Sequence, residues 1–121
     1  MSDLPKLVRD RIPDIIKESG ASCAFEILPD LPDIRHHFLV EKLKEETREF
    51  EDATSSIPSS RDSIAEEAAD MLQVCMDLWS LWGLSLEDVL AIAQSKAQDR
   101  GGFGEGVYLL SVRKGDPQFT P

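Results

Sequence analysis

The sequence predicts an all-α fold: a four-helix-bundle-like single domain, residues 1–121, with a small two-stranded β addition. Three observations carry that expectation. Apolar residues recur at three- and four-residue steps in successive stretches, the period of a helix that buries one face. Helix start and stop signals, among them Gly20, Pro29, Gly83 and Gly101-Gly102, separate those stretches. Two short segments, 23–28 and 107–112, instead alternate in the manner of strands.

The first helix is short, Arg11 to Ser19. Pro13 is tolerated only in a first turn, and Gly20 suits a left-handed cap. Cys23-Ala24-Phe25-Glu26-Ile27-Leu28 then reads as a strand bounded by Gly20 and Pro29. The second helix spans about Asp33 to Ala53, with Leu39, Leu43 and Phe50 on one stripe and His36 and Val40 beside it. Thr54 to Ser60 is a polar loop. The third helix runs from a cap at Ser59 or Ser60 to Trp82, where Gly83 ends it. Ile64, Met71, Cys75, Leu78 and Trp82 share its apolar face. The fourth opens on Ser85-Leu86-Glu87-Asp88, a capping box with Asp in place of Glu. Leu86, Leu90, Ala93 and Ala97 line its face, and Gly101-Gly102 stop it. Val107 to Val112 is the second strand expected, a partner for Phe25 to Leu28. The tail, Arg113 to Pro121, is expected to be loose.

At 121 residues the chain buries roughly two-thirds of its unfolded surface, so it needs no disulfide or structural metal to fold. With 13 basic against 23 acidic residues the net charge is −10. That balance speaks against sequence-independent nucleic-acid binding and against anionic membranes, both of which use clustered Lys and Arg. It leaves phosphate substrates open, provided a metal ion carries the positive charge. Cys23 and Cys75 form no CxxC pair, which points to a reduced, cytoplasmic setting. Met1 to Lys6 has no apolar h-region, so no signal peptide is expected. The longest apolar region, 68–82, is interrupted by Asp70, Gln73 and Asp77 and is too short to span a bilayer.

The acidic residues are not placed at random. At about 100° per residue, Glu67 falls inside the apolar arc of the third helix, between the directions of Val74 and Leu78, while Glu66 points to the polar side. Asp70 sits at the edge of that arc. A buried carboxylate costs several kcal/mol unless it is paired or bound to metal, so Glu67 asks for a partner. On the second helix Glu46 flanks the apolar stripe and Glu49 lies one step further round. The pattern is Glu46-x-x-Glu49, then Glu67-x-x-Asp70. Each i,i+3 pair puts two carboxylates on one side of a helix, and two facing pairs make an oxygen cage suited to Mg²⁺ or Mn²⁺. An ExxE pair by itself usually belongs to a solvated face; the intrusion of Glu67 on an apolar face favours a metal site. On the fourth helix Lys96 and Arg100 are i,i+4 neighbours, placed either to pair with these carboxylates or to contact phosphates. Arg100-Gly101-Gly102-Phe103-Gly104 follows, a loop able to close over a ligand and equally explained as a helix end.

These motifs together resemble the MazG-like all-α nucleoside triphosphate pyrophosphohydrolases, a superfamily that includes phosphoribosyl-ATP pyrophosphohydrolase. The resemblance rests on Lys42-Leu43-Lys44-Glu45-Glu46-Thr47-Arg48-Glu49, on Glu66-Glu67-Ala68-Ala69-Asp70, and on Lys96-x-x-x-Arg100-Gly101-Gly102-Phe103. Lys6-Leu7-Val8-Arg9-Asp10-Arg11-Ile12-Pro13 is similar to the opening of its small members. The only departure is the long polar loop at 54–60. The resemblance implies hydrolysis of a nucleoside triphosphate to its monophosphate and pyrophosphate in nucleotide-pool house-cleaning. It implies Mg²⁺ (or Mn²⁺) held by Glu46, Glu49, Glu67 and Asp70, with Glu46 as general base and Glu45 in reserve. Lys96 and Arg100 would steady the phosphates, and the assembly would be a homodimer or homotetramer.

Two other functions stand beside this one. Hydrolysis of phosphoribosyl-ATP in histidine synthesis fits the size and the N-terminal segment. A catalytically silent helical interaction module would leave the acidic pairs merely solvated or salt-bridged. A di-iron bundle wants two Glu-x-x-His motifs, and the chain offers only Asp33-x-x-His36.

Overall fold

The computed structural model describes residues 4–113. Four helices are present: α1, Ile12–Glu18; α2, Pro32–Ser55; α3, Arg61–Ser80; and α4, Leu86–Arg100. The chain forms two compact units, Met1–Leu86 and Glu87–Pro121.

In the first unit the local sequence signals account for the helix ends. Pro13 occupies the first turn of α1. Gly20, at φ +92°, ends α1 in the left-handed region, where L side chains are strained. The Gly20 N–H donates to the Lys17 carbonyl and the Ala21 N–H to the Ile16 carbonyl, the paired bonds of a glycine-terminated helix. The end of α3 repeats the device. Gly83, at φ +71°, donates to the Ser80 carbonyl and Leu84 to the Trp79 carbonyl, at 3.1 Å each. Of the two candidate caps for α3, Ser60 serves: its side chain accepts from the Ser63 N–H at 3.3 Å. α2 starts at Pro32, with Asp33 in its first turn.

α2 and α3 pack against each other. Their contacts run in opposite order along the chain. Trp82, just past α3, stands edge-on to His36 near the start of α2, with ring centroids 5.7 Å apart. Further along α2, Glu46 and Glu49 meet Glu67 of α3. The pair is therefore antiparallel, as its short connection requires. Leu39, Leu43 and Phe50 of α2 and Ile64, Met71, Cys75 and Leu78 of α3 are half-buried along the seam, as their periodicity predicts. Trp82 is mostly exposed. Among the described residues the best-covered apolar side chain is Val74, and the best-covered charged one is Glu46.

The β addition is not formed: the described residues hold no strand. Residues 23–28 and 107–112 alternate in sequence, but a strand exists only through a neighbour that takes its backbone groups, and an isolated two-stranded ribbon is marginal in water. At the end of the first segment the Arg35 side chain takes that role. It donates to the Leu28 carbonyl at 3.0 Å and the Pro29 carbonyl at 3.1 Å, tying this stretch to α2. Of the tail expected to be loose, only Arg113 lies within the described residues.

In the second unit α4 ends at Gly101, φ +81°, whose N–H donates to the Ala97 carbonyl at 2.8 Å. Leu90, Ala93 and Ala97, three of the four residues of its expected apolar face, are exposed. No helix among the described residues is long and apolar enough to cross a membrane.

Candidate metal and phosphate site

The i,i+3 spacing on two antiparallel helices brings carboxylates to one place. One oxygen each from Glu46, Glu49 and Glu67 lies within 4.8 Å of the others. Asp70 follows Glu67 by one helical turn, outside this set of three. Its Oδ1 accepts a hydrogen bond from Arg9 Nη2 at 2.7 Å.

A cation sits on the other side of Glu46. Lys42 Nζ lies 3.4 Å from Glu46 Oε1 and also pairs with Glu45. Burial pulls the Lys42 ammonium down, but Glu45 and Glu46 outweigh it, so its pKa is raised and it stays charged. One lysine does not neutralise the cluster. Burial pushes the Glu46 carboxyl above the usual carboxylate range; Lys42 opposes that, and repulsion from Glu49 and Asp70 adds to it. Glu67 is raised as well, by burial first, then by Glu49, Asp70 and Glu46, and by a hydrogen bond shared with Glu49.

Two oxygens mark what the cluster lacks. Glu46 Oε2 and Glu67 Oε2 are buried and have no hydrogen-bond partner. A buried acceptor left unpaired is costly, and the two belong to carboxylates that cluster with a third as a hard-oxygen donor set. These residues fit a divalent cation: its charge would offset the mutual repulsion and its coordination would satisfy both orphaned oxygens.

A sequence model of the phosphoribosyl-ATP pyrophosphohydrolase family matches residues 32–97, more than half of the chain. The chain belongs to this family. No curated protein and no solved structure matches. Family membership implies a pyrophosphohydrolase, a hydrolase acting on a phosphoric anhydride, and the MazG-like resemblance of the sequence agrees with it. Pyrophosphohydrolases of this family generally depend on divalent metal, and the acidic cluster is present for one. The matched span opens with α2 and closes within α4, so it includes all four carboxylates and Lys42, while Arg9 and Arg100 fall outside it.

Of the residues singled out from sequence, Glu46, Glu49 and Glu67 are brought together, and Asp70 adjoins them in the grip of Arg9. Glu45 is engaged by Lys42. Lys96 and Arg100 are exposed, one turn apart on α4, and with Ser95, Gln98 and Asp99 they line a shallow open hollow of the second unit. Sequence reasoning assigned no role to Lys42 or Arg9. For Lys42 a signal exists: it lies three and four residues before Glu45 and Glu46, on one helix face. For Arg9 there is none, because its partner is 61 positions away.

Proposed function

We propose that the chain hydrolyses the α–β phosphoanhydride of a nucleoside triphosphate, releasing the monophosphate and pyrophosphate, with Mg²⁺ as the physiological ion and Mn²⁺ as a substitute. The observation that carries this reading is the cluster of Glu46, Glu49 and Glu67, two of which keep a buried, unpartnered oxygen, in a pyrophosphohydrolase family member. Glu46, Glu49, Glu67 and Asp70 would hold the ion. Bound there, a divalent cation supplies charge neutralisation at the phosphoryl oxygens and a lowered pKa for water. Glu46 takes the proton of the attacking water. The water oxygen bonds to the α-phosphorus, the bridging oxygen leaves with the β-phosphorus, and pyrophosphate departs. Lys42 holds Glu46 by its other oxygen, Oε1. Lys96 and Arg100 steady the phosphates.

The family match favours a second substrate, phosphoribosyl-ATP, which carries the same triphosphate and loses pyrophosphate by the same step. The net charge of −10 supports a small-molecule substrate over a nucleic-acid polymer or an anionic membrane. A homodimer or homotetramer is supported by the family resemblance and by apolar side chains left exposed in each unit, Leu72 in the first and Leu90 and Ile92 in the second. A cytoplasmic setting follows from the substrate class and from the separated cysteines.

The deciding experiment is product analysis. Incubation with each NTP, each dNTP and phosphoribosyl-ATP in Mg²⁺ yields monophosphate plus pyrophosphate from at least one of them. Release of orthophosphate alone, or no turnover in the whole panel, refutes the reading. Growth of a histidine auxotroph lacking the phosphoribosyl-ATP step separates the two substrates.

A further inference from the structure

We propose that Arg9 is a phosphate-binding residue of the carboxylate site: its guanidinium, held beside the cluster at Asp70, engages the polyphosphate of the substrate. The proposal rests on the pyrophosphohydrolase reading and extends it to a residue outside the span matched by the family.

Four observations support it. Arg9 Nη2 meets Asp70 Oδ1 at 2.7 Å, so a cation from the N-terminal segment stands beside the acidic cluster. The Arg9 carbonyl accepts the Ile12 N–H at 3.0 Å, which fixes the residue's backbone on the turn leading into α1. The side chain nevertheless remains 57% exposed. An ion pair that exposed contributes little to stability, so a staple is a poor account of it. Finally, the other cation at the cluster, Lys42, has a side chain only 15% exposed and is committed to Glu45 and Glu46. Arg9 is therefore the accessible one.

The chemistry matches. Were Asp70 to help hold a divalent ion, the Arg9 guanidinium would be released from it beside the cluster. An arginine fork binds phosphate oxygens in bidentate fashion, and a cation beside the cluster draws a polyanion toward an otherwise acidic chain.

Two equilibrium measurements on the full-length chain test this. Free Mn²⁺, followed by electron paramagnetic resonance without nucleotide, reports the cation site. Calorimetry with inorganic tripolyphosphate in excess Mg²⁺ reports the phosphate site. Arg9→Met is expected to bind Mn²⁺ about 3-fold more tightly, because a competing charge is gone, and tripolyphosphate at least about 10-fold more weakly, because a charge-assisted hydrogen bond is lost. Arg9→Lys restores part of both. A structural role moves the two affinities in the same direction and lowers the melting temperature, which overturns the proposal. Unchanged affinity for either probe in Arg9→Met, or a wild-type chain that does not bind tripolyphosphate, also overturns it. A wild type that binds both probes as expected but releases pyrophosphate from no nucleotide refutes the catalytic reading and leaves the role of Arg9 standing.

Discussion

Glu67→Gln should make the metal-free chain more stable while removing its response to metal. Glutamine keeps the size and hydrogen-bonding reach of the side chain and deletes its charge. In the structure Glu67 faces Glu46 and Glu49, with carboxylate oxygens no more than 4.8 Å apart. At that separation one pair of charges repels by roughly 3.5 kcal/mol at an effective dielectric of about 20 and by roughly 0.9 kcal/mol in water. Glu67 is only half-covered, so solvent screening brings the sum of two pairs toward the lower bound, about 2 kcal/mol. For a chain of 121 residues that is a rise in Tm of roughly 6–10 °C. The assay is a thermal melt in chelator, with wild type and variant at equal concentration, repeated in millimolar Mg²⁺. Wild type rises with Mg²⁺, since a ligand that binds only the folded state stabilises it. The variant does not, and its pyrophosphate release falls by at least about 100-fold. A variant less stable than wild type in chelator, or one that keeps the full Mg²⁺ response, would refute the reasoning.

Three further outcomes follow from the same geometry. Lys42→Met leaves the buried Glu46 carboxylate without its counter-ion and should destabilise the metal-free chain by about 3 kcal/mol, read from the urea midpoint. Mg²⁺ recovers part of that loss, and a wild-type midpoint in chelator would contradict the pairing. The raised pKa of Glu67 has a pH signature. Between the ordinary glutamate range and the raised folded value, the native chain binds more protons than the unfolded one, so metal-free stability is lost as pH rises through that window. The Tm advantage of Glu67→Gln should accordingly grow with pH across it, and Mg²⁺ affinity should rise with pH as protons are released; a pH-independent advantage would contradict the shift. Ser60→Ala removes the α3 cap and should cost about 1 kcal/mol with turnover per folded molecule unchanged.

How much of this was legible in the sequence depends on how far apart the cooperating residues lie. Helix ends were readable because a few consecutive residues decide them: Pro13 with Gly20 for α1, Ser60 with Gly83 for α3. The carboxylate site was readable for a related reason. Two residues at i,i+3 share a helix side, and Glu67 stood out on an apolar arc. What remained was which oxygens would be orphaned and which cations would arrive, and both depend on the register between segments. Arg9 reaches Asp70 across 61 positions, a relation no periodicity encodes. The strands failed for the opposite reason. Alternation describes side chains, whereas a strand needs a backbone partner, and at Leu28 and Pro29 the Arg35 guanidinium supplied one instead.

Val74 and Glu46, the best-covered apolar and charged side chains described, lie on the two helices whose packing also gathers the carboxylates. Core and site thus share one helix pair. If a divalent ion bridges Glu46 and Glu67, the same ion that permits turnover of substrate also fastens α2 to α3. Cellular lifetime then follows ion supply: in a metal-poor cell a larger fraction of the chain opens to proteases, and the amount of enzyme falls along with its activity.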